Sequence, residues 1–131
     1  MKPGDSNLLP LLLANRSLVL HRLGHHTAAL QDIRRSLEAG YPERSVYKLY
    51  TRQSSCFSAL GKTEVAGRCL ERATAAACLL AGQERHLAEK FIKEKAGDVK
   101  LSENCRVESQ VIVTISRVSH EVHVRRGRNA G

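Results

Sequence analysis

The sequence repeats itself at an offset of 37 residues, and this self-similarity restricts the fold more than any other feature. Aligning Gly24 on Gly61 places small residues on small and apolar on apolar: Ser17 on Ser54, Leu20 on Phe57, Leu23 on Leu60, Ala29 on Ala66, Ile33 on Leu70 and Ser36 on Ala73. The apolar residues recur at helical spacing on both sides of each glycine. The pattern predicts two copies of one helical hairpin, against the alternative that four amphipathic helices with glycine turns coincide by chance.

Five helices are predicted: Leu8–Leu23, Thr27–Ala39, Pro42–Leu60, Lys62–Leu80 and 83–96. Proline is tolerated in the first turn of a helix, and glycine commonly follows the last turn. We expect Leu13, Ser17, Leu20 and Leu23 to share one face of the first helix, and Leu87, Ala88 and Phe91 one face of the fifth. Small Ser17 and Ala29 would let the first two helices approach closely. A mostly α fold follows.

Composition agrees with helix packing. The chain of 131 residues has no Trp, two Phe and three Tyr, so its core must be built from aliphatic side chains. Leu, Ala, Val and Ile suit helix-on-helix packing. The apolar run LLPLLLA near the start is too short to span a bilayer and contains Pro10, so we expect no membrane partner.

The net charge of +8 favours an acidic partner. A carboxylate-rich peptide, a nucleic acid and an anionic surface all fit this charge. The basic stretches lack interleaved aromatic residues, which are the stacking platforms of specific nucleic-acid binders. We therefore expect only nonspecific electrostatic contact with nucleic acid.

The cysteines and histidines are weak candidates for a metal site. The four cysteines, Cys56, Cys69, Cys78 and Cys105, include no CxxC pair, so we interpret them as free thiols of a reducing compartment. The histidines at 21, 25 and 26 cluster, but no carboxylate or cysteine follows at a spacing that completes a ligand set. His120 and His123 fit an alternating strand better. The sequence predicts no bound metal.

The two ends of the chain differ from its helical centre. Residues 1–7 are polar and are expected to form a disordered lead. Beyond Gly97, the Val- and Ile-rich sequence predicts strands at Val107–Arg117 and Val122–Arg126, followed by a basic tail. A lone hairpin is marginally stable in water, so residues 98–131 are expected to be a poorly ordered, strand-like tail or the start of another domain.

The repeated pattern resembles the tetratricopeptide repeat (TPR). The likeness rests on a bulky residue early in the first helix, a small residue at its middle, a glycine at the turn, and a small–apolar–small series in the second: Leu13, Ser17, Gly24, Ala29, Ile33 and Ser36, then Tyr50, Ser54, Gly61, Ala66, Leu70 and Ala73. His26 and Thr63 depart from it, because the family prefers Tyr there. The resemblance implies a solenoid with one repeat at 8–41, a second at 42–82 and a capping helix at 83–97.

The resemblance also implies a peptide site. In chaperone-binding TPR proteins, an Asn on one first helix and a Lys-x-x-x-Arg pair on the next grip the terminal carboxylates of a peptide ending Glu-Glu-Val-Asp. Asn15, Lys48 and Arg52 match those positions. Amide, ammonium and guanidinium donors converging on a carboxylate explain the chemistry. The same clamp uses a Lys and an Asn of an earlier helix pair, which would precede residue 1. A solvated helix face is the simpler interpretation of Lys48 and Arg52.

A closer resemblance covers about residues 8–80. The ANRS entry, the LEAGYPE link and the YKLYTR run look like the TPR segment of the SET and MYND domain-containing methyltransferases. That family transfers methyl groups from S-adenosylmethionine to protein lysines through a SET domain and carries a zinc-binding MYND module. Neither signature is visible here, so the resemblance implies a fragment without catalysis or cofactors of its own, cytoplasmic or nuclear in location.

Three functions remain open at this point. The first is a protein-interaction module for an acidic C-terminal peptide, with a heat-shock chaperone as the implied partner. The second is a remnant of the methyltransferase that retains activity. The third is a basic adaptor associated with nucleic acid.

Overall fold

A computed structural model describes residues 8–97 and 99, and the regular secondary structure of this part of the chain is all helical, with no strand. Its α-helices are α1 (Leu8–Arg22), α2 (His26–Glu38), α3 (Val46–Ala59), α4 (Thr63–Cys78) and α5 (Gly82–Ala96). The mostly α fold and its helical hairpins are confirmed. The expected lead at 1–7 and the strands at Val107–Arg117 and Val122–Arg126 lie outside the described residues. None of the described helices is long and apolar enough to cross a membrane.

The third helix starts later than predicted. Pro42 has φ −56° and ψ 126°, which is an extended conformation, and a 3₁₀ turn at Glu43–Ser45 comes between it and α3. The Ser45 amide donates to the Pro42 carbonyl at 2.9 Å and closes that turn. The prediction that Pro42 forms the first turn of the α-helix was therefore wrong, because Pro42 has an extended backbone and belongs to the segment that connects α2 to α3.

The two hairpin turns are built in the same way. Gly24 has φ +87° and Gly61 has φ +79°, a left-handed conformation that glycine adopts without a Cβ clash. In the first turn, the Gly24 amide bonds to the His21 carbonyl and the His25 amide to the Leu20 carbonyl; Gly61 and Lys62 make the equivalent bonds in the second turn. These paired bonds are those of a Schellman C-cap. The repeat seen in the sequence is thus also a repeat of backbone structure.

Small residues at the repeated positions are completely buried. Ser17 and Ala29 in the first hairpin, and Ser54 and Ala66 in the second, have no exposed surface. The Ser54 hydroxyl donates to the Ala66 carbonyl at 2.6 Å and so joins α3 directly to α4. A contact this short requires the close helix approach predicted from the small side chains.

The core of the described residues consists of two clusters that share α3. The first, from α1, α2 and α3, contains Ala14, Ala29, Ile33, Leu49 and Cys56. The second, from α3, α4 and α5, contains Tyr47, Leu70, Ala73, Ala77, Ala88 and Ile92. Because α3 contributes to both clusters, each hairpin is covered by the next element, as in a helical solenoid.

Two predicted core residues face solvent. Leu23 is 66% exposed, because it follows the last residue of α1 and the turn, not the helical period, sets its direction. Leu87 is 52% exposed, whereas Ala88 and Ile92 form the buried face of α5. The predicted face of α5 was therefore shifted by about one residue, although Phe91 does pack against the second core cluster.

An ion pair fastens α1 to α2. The Arg16 guanidinium donates two hydrogen bonds to the Asp32 carboxylate, at 2.6 and 2.7 Å. Asp32 is buried, and the hydrogen bond from Arg16 lowers the pKa of its carboxyl group. The second hairpin has Gln53 and Cys69 at the equivalent positions. This bidentate link is therefore specific to the first repeat.

Candidate functional site: a basic groove across the first helices

A groove of about 580 Å³ runs across α1, α3 and α5, which are the first helices of the two hairpins and the capping helix. We call it the basic groove. It is lined by Leu18, His21, Arg22, Lys48, Thr51, Arg52, Ser55, Ser58, Ala59, Phe91 and Lys95. A volume of this size is within the usual range of ligand pockets.

The charge of the basic groove has one sign. Arg22, Lys48, Arg52 and Lys95 carry cationic groups, and no carboxylate is among the described residues that line it. Clefts lined by charges of one sign concentrate ligands of the opposite sign. Leu18 and Phe91 add apolar surface between these charges. The groove is therefore suited to an anionic ligand with some apolar character.

The hydroxyl groups of the groove are partly committed to the protein. Thr51 donates to the Tyr47 carbonyl at 2.6 Å, and Ser55 donates to the Thr51 carbonyl at 3.3 Å. Both are bonds back to the preceding helical turn. The cationic side chains are consequently the better candidates for ligand contact.

The structure places two of the three predicted clamp residues in the basic groove. Lys48 is exposed and its ammonium lies 6.0 Å from the centre of the Tyr47 ring. Arg52 lies one turn further along α3. Asn15 is exposed but is not among the residues that line the groove, and it shares its stripe of α1 with exposed Leu12 and Val19. The three-residue clamp stays a prediction.

Arg52 has a structural partner that the sequence does not reveal. Its Nη1 donates to the Ala14 carbonyl at 2.8 Å and to the Ser17 hydroxyl at 2.9 Å. Burial lowers the pKa of this guanidinium, which nevertheless stays charged. Arg52 therefore joins α3 to α1 while presenting its charge along the groove wall.

Sequence reasoning missed three basic residues of the groove: His21, Arg22 and Lys95. A signal was present, because Leu18 and Arg22, and likewise Phe91 and Lys95, are separated by four residues and share a helix face. Lys95 could have been identified by treating the capping helix in the same way as the first helix of each hairpin, which carries the predicted clamp residues. His21 lies at the end of α1, where the turn decides the direction of the side chain.

The histidine cluster also differs from its prediction. His21 Nδ1 lies 2.9 Å from His26 Nδ1 and 3.4 Å from the Cys56 sulfur. The expectation that no cysteine completes this cluster was wrong, since α3 brings Cys56 to it from 35 residues away. Burial raises the pKa of the Cys56 thiol to about 11. Cys56, Cys69 and Cys78 form no disulfide within the described part of the chain, in agreement with the prediction that they are thiols; Cys105 is outside the described residues.

The curated relatives that this chain matches align with about half of it. The zebrafish (Danio rerio) protein-lysine N-methyltransferase SMYD4 is 54% identical over 60 residues, which are 46% of this chain and 8% of that protein. The human protein of the same name is 40% identical over 62 residues, 47% of this chain and 8% of its own. The chicken (Gallus gallus) protein is 38% identical over 63 residues, 48% of this chain and 8% of its own.

About half of this chain is similar to part of SMYD4. The matched segment spans about 8% of the length of these curated relatives. The similarity supports a region related to the SMYD methyltransferases, in agreement with the resemblance seen in the sequence. No family model matches the chain. No solved structure matches it either.

Proposed function

We propose that residues 8–97 form a protein-interaction module that binds an acidic peptide in the basic groove, as part of a protein related to the lysine methyltransferase SMYD4. The observation that carries the proposal is the charge of the groove. Its lining contains Arg22, Lys48, Arg52 and Lys95, with no carboxylate among the described lining residues to neutralise them.

Lys48 and Lys95 are the expected ligand contacts. They come from α3 and α5, so their ammonium groups approach the groove from two helices. Neither takes part in an ion pair within the described part of the chain. A carboxylate only accepts hydrogen bonds, and an ammonium only donates them, so the two match without further adjustment.

A peptide with a free C-terminal carboxylate fits better than a side-chain carboxylate alone. A terminal Asp presents two carboxylates on one residue, which two lysines and the charge of Arg52 would bind together. A chaperone peptide ending Glu-Glu-Val-Asp is the specific candidate, because Lys48 and Arg52 match the pair that holds it in TPR proteins. Phe91 and Leu18 offer apolar contact to the Val.

The proposal also includes the lysine methyltransferase activity of the protein to which this module would belong. Similarity to SMYD4 over about half of this chain suggests a protein in which a module of this kind presents a partner to a methyltransferase. S-adenosylmethionine and zinc would bind in the SET and MYND regions of such a protein. Calorimetry with S-adenosylmethionine checks whether this chain retains activity itself, and binding would favour the second function.

The test is fluorescence polarisation with a labelled Glu-Glu-Val-Asp peptide and its C-terminally amidated form. We expect the amide to bind at least tenfold more weakly. Lys48→Ala and Lys95→Ala should each weaken binding several-fold, and Lys90→Ala, an exposed lysine of α5 outside the groove, should leave it unchanged.

Three outcomes separate the alternatives. Equal affinity for acid and amide would rule out recognition of the terminal carboxylate. Equal effects of Lys48→Ala and Lys90→Ala would rule out the basic groove as the site. Steeply salt-dependent binding of duplex DNA or RNA that is insensitive to Lys48→Ala would favour the nucleic-acid adaptor.

A further inference from the structure

Three metal-binding side chains from three helices meet beside the first hairpin turn. His21 is in the last turn of α1, His26 is the first residue of α2, and Cys56 lies in the last turn of α3. Their ligand atoms all lie within 4.8 Å of one another. The two histidines are half-buried and Cys56 is buried, so the site is shielded but reachable from the groove side.

The two separations from His21 Nδ1 are close to those between ligands of one metal ion, and the ligand atoms of His26 and Cys56 lie within 4.8 Å of each other. Zinc binds histidine nitrogen at about 2.0–2.1 Å and cysteine sulfur at about 2.3 Å. Tetrahedral angles with these bond lengths separate two nitrogens by about 3.3 Å, and nitrogen from sulfur by about 3.6 Å. The observed separations of 2.9 and 3.4 Å from His21 Nδ1 differ from these values by a few tenths of an ångström. Small side-chain rotations would accommodate the ion.

Hydrogen bonds alone satisfy this cluster poorly. The His26 nitrogen and the Cys56 sulfur both approach the same atom, His21 Nδ1. An imidazole nitrogen offers either one proton or one lone pair in the ring plane, so it serves one of these neighbours well and not both. A cation at the centre would accept a lone pair from each of the three atoms.

We propose that His21, His26 and Cys56 form a zinc site that fastens the α1–α2 turn to α3. Two imidazoles and one thiolate are a donor set that suits zinc. Binding releases the Cys56 thiol proton to solvent, and each imidazole carries its remaining proton on Nε2. Water supplies the fourth ligand. Arg52, which lies close enough to influence both Cys56 and His21, favours the thiolate while opposing the added cation.

Cobalt is the probe, because it reports thiolate ligation by colour. We would titrate the purified 131-residue chain, with its thiols reduced, with Co²⁺ and record the absorption spectrum. A sulfur-to-cobalt charge-transfer band and intense tetrahedral ligand-field bands are expected at one equivalent. Added Zn²⁺ should abolish both.

Matched variants identify the ligands. Cys56→Ser should remove the charge-transfer band, and His26→Gln should raise the Kd for Co²⁺ at least tenfold. The controls are Cys69→Ser, which changes another buried thiol, and His25→Gln, which changes the exposed histidine next to His26. Both controls should retain the spectrum.

Folding of each variant is checked by its helical circular dichroism. His26→Gln keeps the proposal testable even if Cys56→Ser does not fold, because His26 lies at a helix start and is only half-buried. Absence of the band in the natural sequence, or an equal loss in His25→Gln and His26→Gln, would overturn the proposal. A band that persists in Cys56→Ser would assign it to another thiol and overturn it as well.

Discussion

Arg52 offers the sharpest test of how this fold is held together. Replacing Arg52 with Met keeps an unbranched apolar stem and removes the guanidinium that joins α3 to α1. That group makes hydrogen bonds of 2.8 and 2.9 Å to the Ala14 carbonyl and the Ser17 hydroxyl. Hydrogen bonds from charged donors contribute about 1.5–3 kcal/mol.

The net effect should be smaller than the sum of the two bonds. Ser17 also donates to the Ala14 carbonyl at 2.6 Å, so that carbonyl keeps a side-chain partner after the replacement. Burial opposes the charge of Arg52, as its lowered pKa indicates, and Arg52→Met removes that opposition. We therefore expect a loss of about 1–2 kcal/mol in the free energy of unfolding. For a domain of this size, the melting temperature should fall by about 5–15 °C.

The matched control is Lys48→Met. It removes one positive charge from the same helix face, one turn earlier, but Lys48 is exposed and bonds to no backbone carbonyl in the described part of the chain. The free energy of unfolding of the Lys48→Met variant should differ from that of the natural chain by less than about 0.5 kcal/mol. Urea unfolding followed by circular dichroism measures both variants. If Arg52→Met and Lys48→Met unfold at the same urea concentration, the reasoning about the α1–α3 link is refuted.

Three further predictions concern the first hairpin. Ile33→Ala should destabilise the chain by about 2–5 kcal/mol because Ile33 is completely buried, whereas Leu79→Ala, at a position 89% exposed, should have little effect in the same urea assay. Gly24→Ala should cost about 1–2 kcal/mol by left-handed strain alone, since no atom lies within 4 Å of the added Cβ; Gly24→Asn should cost less, and equal melting temperatures would contradict this. Arg16 lowers the pKa of Asp32 in the folded protein. The stabilisation by this ion pair is therefore complete above 3.8, the pKa of Asp32 in the unfolded chain, and is lost as the pH falls through the lower pKa of the folded protein. The difference in the free energy of unfolding between the natural chain and Asp32→Asn should therefore persist at about pH 4 and disappear only as the pH falls below the lowered pKa of Asp32, which is under 3.8; a constant difference would exclude the ion pair as the cause.

The helices and turns could be predicted from the sequence because they depend on residues that are close together in the chain. Gly24 and Gly61 end their helices in the left-handed conformation that the pattern requires, and Ser17 and Ala29 are buried where small residues were expected. Helical period and C-capping depend on residues within a few positions of each other. Leu23 was misplaced because it lies just beyond the helix, where that period no longer applies.

Only part of the candidate site could be predicted from the sequence. Lys48 and Arg52 were expected in a groove, and the structure places both there. Their roles differ, however, because Arg52 bonds to α1, 38 residues away from it in sequence, while Lys48 stays exposed. Nothing in the spacing of the two residues distinguishes an anchored guanidinium from a solvated ammonium. Lys95 was missed because α5 had been interpreted only as a cap.

The sequence by itself determined the repeated helical hairpins, since the 37-residue offset and the glycine turns are properties of the chain order. Only the tertiary structure decided which side chains meet across helices. The pairing of Arg16 with Asp32, the bond from Arg52 to Ala14, and the convergence of His21, His26 and Cys56 all join different helices. Such contacts depend on how the hairpins stack and rotate against each other, and the helical period of one segment carries no information about that angle.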